Sequence, residues 1–247
     1  MTVHIVIPAR LASSRLPDKP LADIGGMPMV IHVLRLAEAA EIGDVCIATD
    51  SDRIAAAVEA VGGRVEMTRA DHASGTDRLA EVATRRDWPD TDVVVNVQGD
   101  EPMLPPALVR QVAALLSDHA DADMATLATP LRDPGELRDP NVVKVVTADD
   151  GRALYFSRAS IPYGRDNDNG PLSIGRRHLG LYAYRVGVLH RLVKTPPATL
   201  ERLERLEQLR ALALGMTILV ADANTEPGPG VDTAADLARV RQLIDGS

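Results

Sequence analysis

Aromatic residues are scarce in this 247-residue chain: one Trp, four Tyr and one Phe make up 2% of it. A protein that grips single-stranded nucleic acid stacks bases on rings, so this composition works against that class. A formal net charge of −8 points the same way, because a phosphate-backbone binder needs a basic footprint. Cysteine is reduced to Cys46, inside the apolar run VCIA, so no intrachain disulfide can form, which fits a reducing compartment. No stretch approaches the ~18 apolar residues of a membrane span. The opening MTVHIVIPAR lacks the basic start and long apolar segment of a signal peptide. A soluble, cytoplasmic protein is expected.

What is present is ordinary globular material. The hydrophobic fraction of 45% and charged fraction of 25% exclude disorder as the main state. With so few rings, the core must be built from Val, Leu, Ile, Ala and Met. Residues 3–9, 44–50, 64–68 and 92–98 read as strands rich in β-branched side chains, and 29–40, 53–61, 76–85 and 106–117 read as helices. Near-continuous apolar strands separated by helices predict an α/β fold with a mostly parallel, Rossmann-like sheet covered on both faces. From residue 124 the pattern turns β-rich: DMATLATP, NVVKVVTA, GRALYFSR and RHLGLYAYR read as strands, with the polar loop GRDNDNGPLS before the last. A Leu-patterned helix over 200–214, the strand MTILVA and a last helix from 233 follow. No internal repeat or long linker is visible. The expectation is a single domain, 1–247, with a lobe inserted at about 130–185.

In such sheets ligands bind beyond the carboxyl ends of the strands. The run VVVNVQGDEPM raises the question of why a buried strand should end in Gln98, Gly99, Asp100 and Glu101. Asp100 is either a turn residue before the next helix or a ligand for something cationic. The first strand runs into ARLASSRLPDKPLADIGG, which places Arg10, Arg15 and Lys19 at its carboxyl end, with Ala12, Ser13 and Ser14 small enough for close approach. Pro17 and Pro20 limit the loop's conformations. Converging cations and exposed N–H groups suit a polyphosphate. Neither a Walker loop nor G-x-G-x-x-G is present. The bland alternative is a solvated loop whose charges pair with Asp18 and Asp23.

Three further segments carry polar side chains in ligand-binding patterns. In RADHASGTDRLAEVATRR, Ser74, Gly75 and Thr76 can present backbone groups to a base or ribose, with Arg78 one turn inside; equally, Ser74 and Asp77 fit a capping box. In GPGVDTAADLARV, Thr233 and Asp236 make a capping box, which leaves Asp232 free of that duty. Paired with Asp100, Asp232 would form the two-carboxylate site that Mg²⁺ uses together with waters and phosphates. In RHLGLYAYR, alternation puts His178, Gly180, Tyr182 and Tyr184 on one face, either lining a polar pocket or facing water. In LERLERLEQLRAL, Leu203, Leu206 and Leu209 form a core stripe, and Glu201 with Arg205 fits an i, i+4 surface pair.

Together, IPARLASSRLPDKPL, MTRADHASGTDRLAE, VVNVQGDEPM, LYFSRASIPY, RHLGLYAYR, LEQLRAL and GPGVDT resemble the 3-deoxy-manno-octulosonate cytidylyltransferases, or CMP-Kdo synthetases, in the family's order and over almost the whole chain. The resemblance implies a fold of the nucleotide-diphospho-sugar transferase type and a homodimer built partly through the inserted lobe. It also implies a Mg²⁺-dependent reaction of CTP with Kdo that gives CMP-Kdo and pyrophosphate for lipopolysaccharide synthesis. Carried over, Arg10, Arg15 and Lys19 would hold the CTP phosphates, with Arg10 and Lys19 also acting in catalysis. Ser74, Gly75, Thr76 and Arg78 would meet the cytidine, and Asp100 and Asp232 would hold the metal. Gln98, Asp100, Arg158, His178, Tyr182, Glu207 and Gln208 would line the Kdo site. One departure is Asp18, where the family's LPGKPL has glycine. Asp tolerates a left-handed backbone, but its charge beside Lys19 is expected to weaken triphosphate binding. The rival readings are an amino-Kdo or sialic acid cytidylyltransferase, a sugar-1-phosphate nucleotidylyltransferase, and a non-catalytic nucleotide-binding regulator.

Overall fold

The computed structural model describes residues 1–11, 16–165 and 175–245. Arg15 and most of the polar loop GRDNDNGPLS lie outside these residues. Among the described residues a nine-stranded sheet forms the spine. β1 (Val3–Ala9) is flanked in parallel by β4 (Asp44–Thr49) and β6 (Val93–Asn96), with β5 (Val65–Met67) beyond β4. β7 (Met124–Pro130) and β11 (Ile218–Asp222) make a second parallel pair. The two groups are joined by β10 (Arg176–Arg185), antiparallel to both β6 and β7. β8 (Lys144–Thr147) pairs with β10 and with β9 (Ala153–Ser157), extending the sheet at one corner. A separate hairpin joins β2 (Asp23–Ile24) to β3 (Met27–Pro28).

Period-two alternation explains the layers. Ile5 and Ile7 of β1 face α1 (Met29–Glu38) and α4 (Pro106–Ser117), in a core with Val30, Leu34, Leu108 and Val112. Val6 faces the other side, with Leu79 and Val82 of α3 (Gly75–Arg85) and Leu189 of α6 (Val186–Lys194). Both faces are therefore dry, which is why these strands read as nearly continuous apolar runs. α2 (Asp52–Glu59) covers β4 and β5, capped by Ser51. α5 (Pro134–Arg138) follows β7, and α9 (Ala234–Asp245) closes the chain against the hairpin. None of the described helices is long and apolar enough to cross a membrane.

The Leu-patterned segment differs from expectation. It is two helices, α7 (Thr199–Glu204) and α8 (Gln208–Ala213), separated by Arg205 in the left-handed region at φ 53. A left-handed residue closes a helix by turning the next N–H groups back onto its carbonyls, and the N–H groups of Arg205 and Leu206 both return to Glu201 O. The break rotates the pattern, so Leu206 and Leu209 are buried while Leu203 is 75% exposed. Nor does Glu201 pair with Arg205. It is buried and takes a bidentate contact from Arg210, Nε to Oε2 at 2.8 Å and Nη2 to Oε1 at 2.5 Å. The alternation in β10 survives a bulge between Leu179 and Tyr182, and both of its faces are covered from Leu181 to Tyr184, while Arg177 and Gly180 remain exposed. α6 was not expected, although Val186, Leu189 and Leu192 are spaced for one buried face.

Removing one partner of a buried ion pair leaves the other charge uncompensated. Glu201→Ala should therefore lower unfolding free energy by about 3 kcal/mol in urea denaturation. A change within about 0.5 kcal/mol would show that the pair behaves like a surface contact.

Candidate active site

The carboxyl ends of β1 and β6 lie side by side, and the chain leaves each into the same hollow. Gly99 is what lets them close up: a Cβ there would sit 2.9 Å from the Pro8 carbonyl oxygen. The hollow is a cavity of about 340 Å³ whose walls include Arg10, Lys19, Ser74, Gly75, Arg78, Gln98, Asp100 and Asp232. Eight of the expected positions, drawn from four separate stretches of sequence, are thus brought together.

At its centre is a lysine between two carboxylates. Lys19 Nζ donates to Asp100 Oδ2 at 2.6 Å, to Asp232 Oδ1 at 3.3 Å and to the Val231 carbonyl at 3.0 Å. The Val231 N–H in turn bonds the Asp100 carbonyl at 2.8 Å, locking the two acidic turns together. Thr233 and Asp236 form their reciprocal cap, so Asp232 is not needed as one. Lys19 opens a short 3₁₀ turn, preceded by Asp18 in the left-handed region at φ 53. The Asp18 carboxylate points to Arg53 Nη1 at 2.8 Å, and the pairing of Lys19 with Asp18 or Asp23 is not formed.

The helix entrance serves two purposes. Ser74 and Asp77 make the full capping box, and Ser74 and Gly75 still face the cavity. Arg78 is buried beneath them, bonded to Thr68 Oγ1 at 2.6 Å and Arg69 O at 3.1 Å, and paired with Asp50 at 3.1 Å. Thr76 departs from its neighbours. It is absent from the walls of the large cavity and lines a narrow cleft with Tyr184, Glu207 and Gln208.

The remaining positions spread over neighbouring walls. Gln98 and His178 line a smaller cavity of about 100 Å³ next to the first, with Glu101 and Arg177. His178 is within 3.0 Å of Thr126 Oγ1, and burial pushes its imidazole down to about 3, so it is neutral at physiological pH. Tyr182 packs beside it at 5.1 Å between ring centroids, and its buried hydroxyl meets no hydrogen-bond partner among the described residues. Arg158 is not brought into these cavities. Its Nε donates to Glu204 O at 2.7 Å and its Nη1 to Pro140 O at 2.8 Å, which ties the end of β9 to α7.

Glu101 is a site residue that the sequence reading passed over. Burial first, then the neighbouring Asp100 and Asp232 charges, push its carboxyl up to about 7, against the opposing pull of Arg177 and Lys19. The acidic pair in QGDEP was legible, but depth below the surface is not written in a sequence. Folding therefore favours the protonated form of Glu101. Its contribution is complete below the unfolded carboxyl value and is lost as pH rises towards 7. In metal-free protein, Glu101→Gln should equal wild type in stability near pH 5 and exceed it near pH 8. Denaturation at the two pH values checks this, and a pH-independent difference would contradict it.

A family profile described as cytidylyltransferase matches residues 4–218. The 3-deoxy-manno-octulosonate cytidylyltransferase of Idiomarina loihiensis is 49% identical over 98% of both chains. That of Methylococcus capsulatus is 50% identical over 98% of this chain and 96% of its own. A solved structure of CMP:2-keto-3-deoxy-manno-octonic acid synthetase complexed with CTP superposes with a TM-score of 0.92 at 42% identity, covering 100% of this chain and 99% of that one. 4-Diphosphocytidyl-2C-methyl-D-erythritol synthase, at 17% identity and a TM-score of 0.66, shares the fold. With relatives this similar along its full length, the chain belongs to the 3-deoxy-manno-octulosonate cytidylyltransferase family.

Proposed function

We propose that the protein transfers CMP from CTP to the anomeric hydroxyl of Kdo, releasing pyrophosphate and activating Kdo for lipopolysaccharide synthesis. The observation that carries this reading is the cavity in which Arg10 and Lys19 meet Asp100 and Asp232. The reaction brings an anionic sugar acid onto a triphosphate, so its barrier is largely one of charge. Ser74 and Gly75 form the wall suited to the cytidine. Arg10, Lys19 and Arg15 are the cations for the phosphates. Gln98, His178, Tyr182, Glu207 and Gln208 are the polar groups on the sugar side, while Arg158 supports them from behind. The hydroxyl oxygen of Kdo forms a bond to the α-phosphorus as the bond from that phosphorus to the bridging oxygen breaks. The electron pair leaves with pyrophosphate, and the hydroxyl proton is released.

Asp100 and Asp232 suit a divalent cation, because both already converge on one positive centre, the Lys19 ammonium. Among the described residues no third His, Cys, Asp or Glu completes a metal cluster with them. Two carboxylates with waters and phosphates make the usual Mg²⁺ arrangement. A Mg²⁺ ion held by Asp100 and Asp232 would supply positive charge beside the reacting phosphate and would make the attacking hydroxyl more acidic. Lys19 would then be free to turn from the carboxylates to the phosphates, while the Asp18 carboxylate is paired with Arg53.

The same reading makes the protein a cytoplasmic homodimer. Leu154 of β9 and Leu200 and Leu203 of α7 are exposed large apolar side chains on and beside the lobe, suited to burial against a second copy. Leu203→Glu should give a monomer in sedimentation velocity; a monomeric wild type would contradict the dimer.

Pyrophosphate release with Mg²⁺ and CTP should occur with Kdo and not with amino-Kdo or sialic acid. Release with another acid alone would redraw the sugar pocket, and CTP binding without release would favour a regulator. Asp100→Asn should lower turnover about a thousandfold while the melting transition is kept. Near-normal turnover by the folded variant would rule out the assigned role.

A further inference from the structure

Thr76 sits where the two halves of the proposed site touch. It follows Gly75 in the first turn of α3, and Ser74 caps that helix. Ser74 and Gly75 face the large cavity, whereas Thr76 lines the narrow cleft on the other side of the turn. There its hydroxyl donates to Glu207 Oε2 at 2.7 Å. Thr76 is buried and Tyr184 lines the same cleft, so the contact is part-buried.

Glu207 is the exposed partner in this contact. It lies in the turn between α7 and α8, just after the left-handed Arg205, where no helix holds its side chain. Among the described residues, Thr76 is the hydrogen-bond donor to its carboxylate. The nearby Arg210 is already committed to Glu201 and to the Leu192 and Thr195 carbonyls. With Oε2 bound by Thr76, Oε1 is left to accept from a hydroxyl-bearing ligand.

We propose that Thr76 is a positioning residue that fixes the Glu207 carboxylate for the hydroxyl groups of the sugar acid, so that one hydrogen bond ties the nucleotide turn to the sugar-binding turn. This rests on the reading that Glu207 faces the sugar. It differs from the expected role of Thr76 as a cytidine contact.

Thr76→Val keeps the shape and removes the hydroxyl. Wild-type pyrophosphate release with CTP and Kdo is measured first, since its absence would count against the proposed function and not against Thr76. With turnover established, the variant should raise KM for Kdo about tenfold and leave KM for CTP within about twofold. Thr76→Ser should restore the wild-type values. Equal losses for both substrates would make Thr76 a nucleotide contact or a packing residue. Unchanged kinetics, or failure of Ser to restore them, would also overturn the proposal. A crystal structure of Thr76→Val reads the same question without turnover: a displaced Glu207 carboxylate supports it, and an unmoved one contradicts it.

Discussion

The site depends on one ammonium group held between two carboxylates. Asp100 and Asp232 are far apart in sequence, and each would repel the other where β6 ends and α9 begins. Lys19 joins them at 2.6 Å and 3.3 Å. That contact is anchored in the fold, because Lys19 is followed at once by the buried Pro20. The close approach of β6 to β1 at Gly99 and the backbone bond from Val231 to Asp100 complete the junction. An acidic protein can host anionic chemistry here because cations, Arg10 and Lys19 among them, are gathered at one place.

Behind this junction the frame is held by buried charges that are all engaged. Lys144 is fully buried, and its ammonium donates to the carbonyls of Asp139, Val142 and Arg158. Burial lowers its affinity for the proton, and the carbonyl cage is what makes such a position tolerable. Arg158 and Glu204 join the end of β9 to α7, while Arg210 and Glu201 join α7 to α8. This chain of contacts leads from β8 and β9 to the turn that carries Glu207 and Gln208. A core of small aliphatic side chains covers both sheet faces but provides no polar anchors, so the ion pairs set the positions of the turns.

Much of this was legible because two periods are simple. Strands with β-branched residues and helices with apolar stripes located β1, β4, β6, α3 and α4 to within a few residues. Gly99 and the capping boxes marked the turns that form the site. The α7–α8 break was not legible, since a left-handed arginine carries no marker and leucines every third residue fit a continuous helix as well as a broken one. The antiparallel entry of β10 depends on long-range pairing. The placements of Thr76, Glu101 and Arg158 share a cause. Each residue type was suited to a ligand, but which neighbour it meets is decided by elements distant in sequence, such as Glu207 for Thr76 and the Glu204 turn for Arg158.

The most direct test of the central claim is Mn²⁺ binding, followed by electron paramagnetic resonance, in wild type and Lys19→Met with and without CTP. If Lys19 occupies the cation seat until phosphates draw it away, free wild type binds Mn²⁺ weakly. Affinity should then rise about tenfold on adding CTP, and by a similar factor in nucleotide-free Lys19→Met. An Mn²⁺ affinity independent of both CTP and Lys19 would contradict the account.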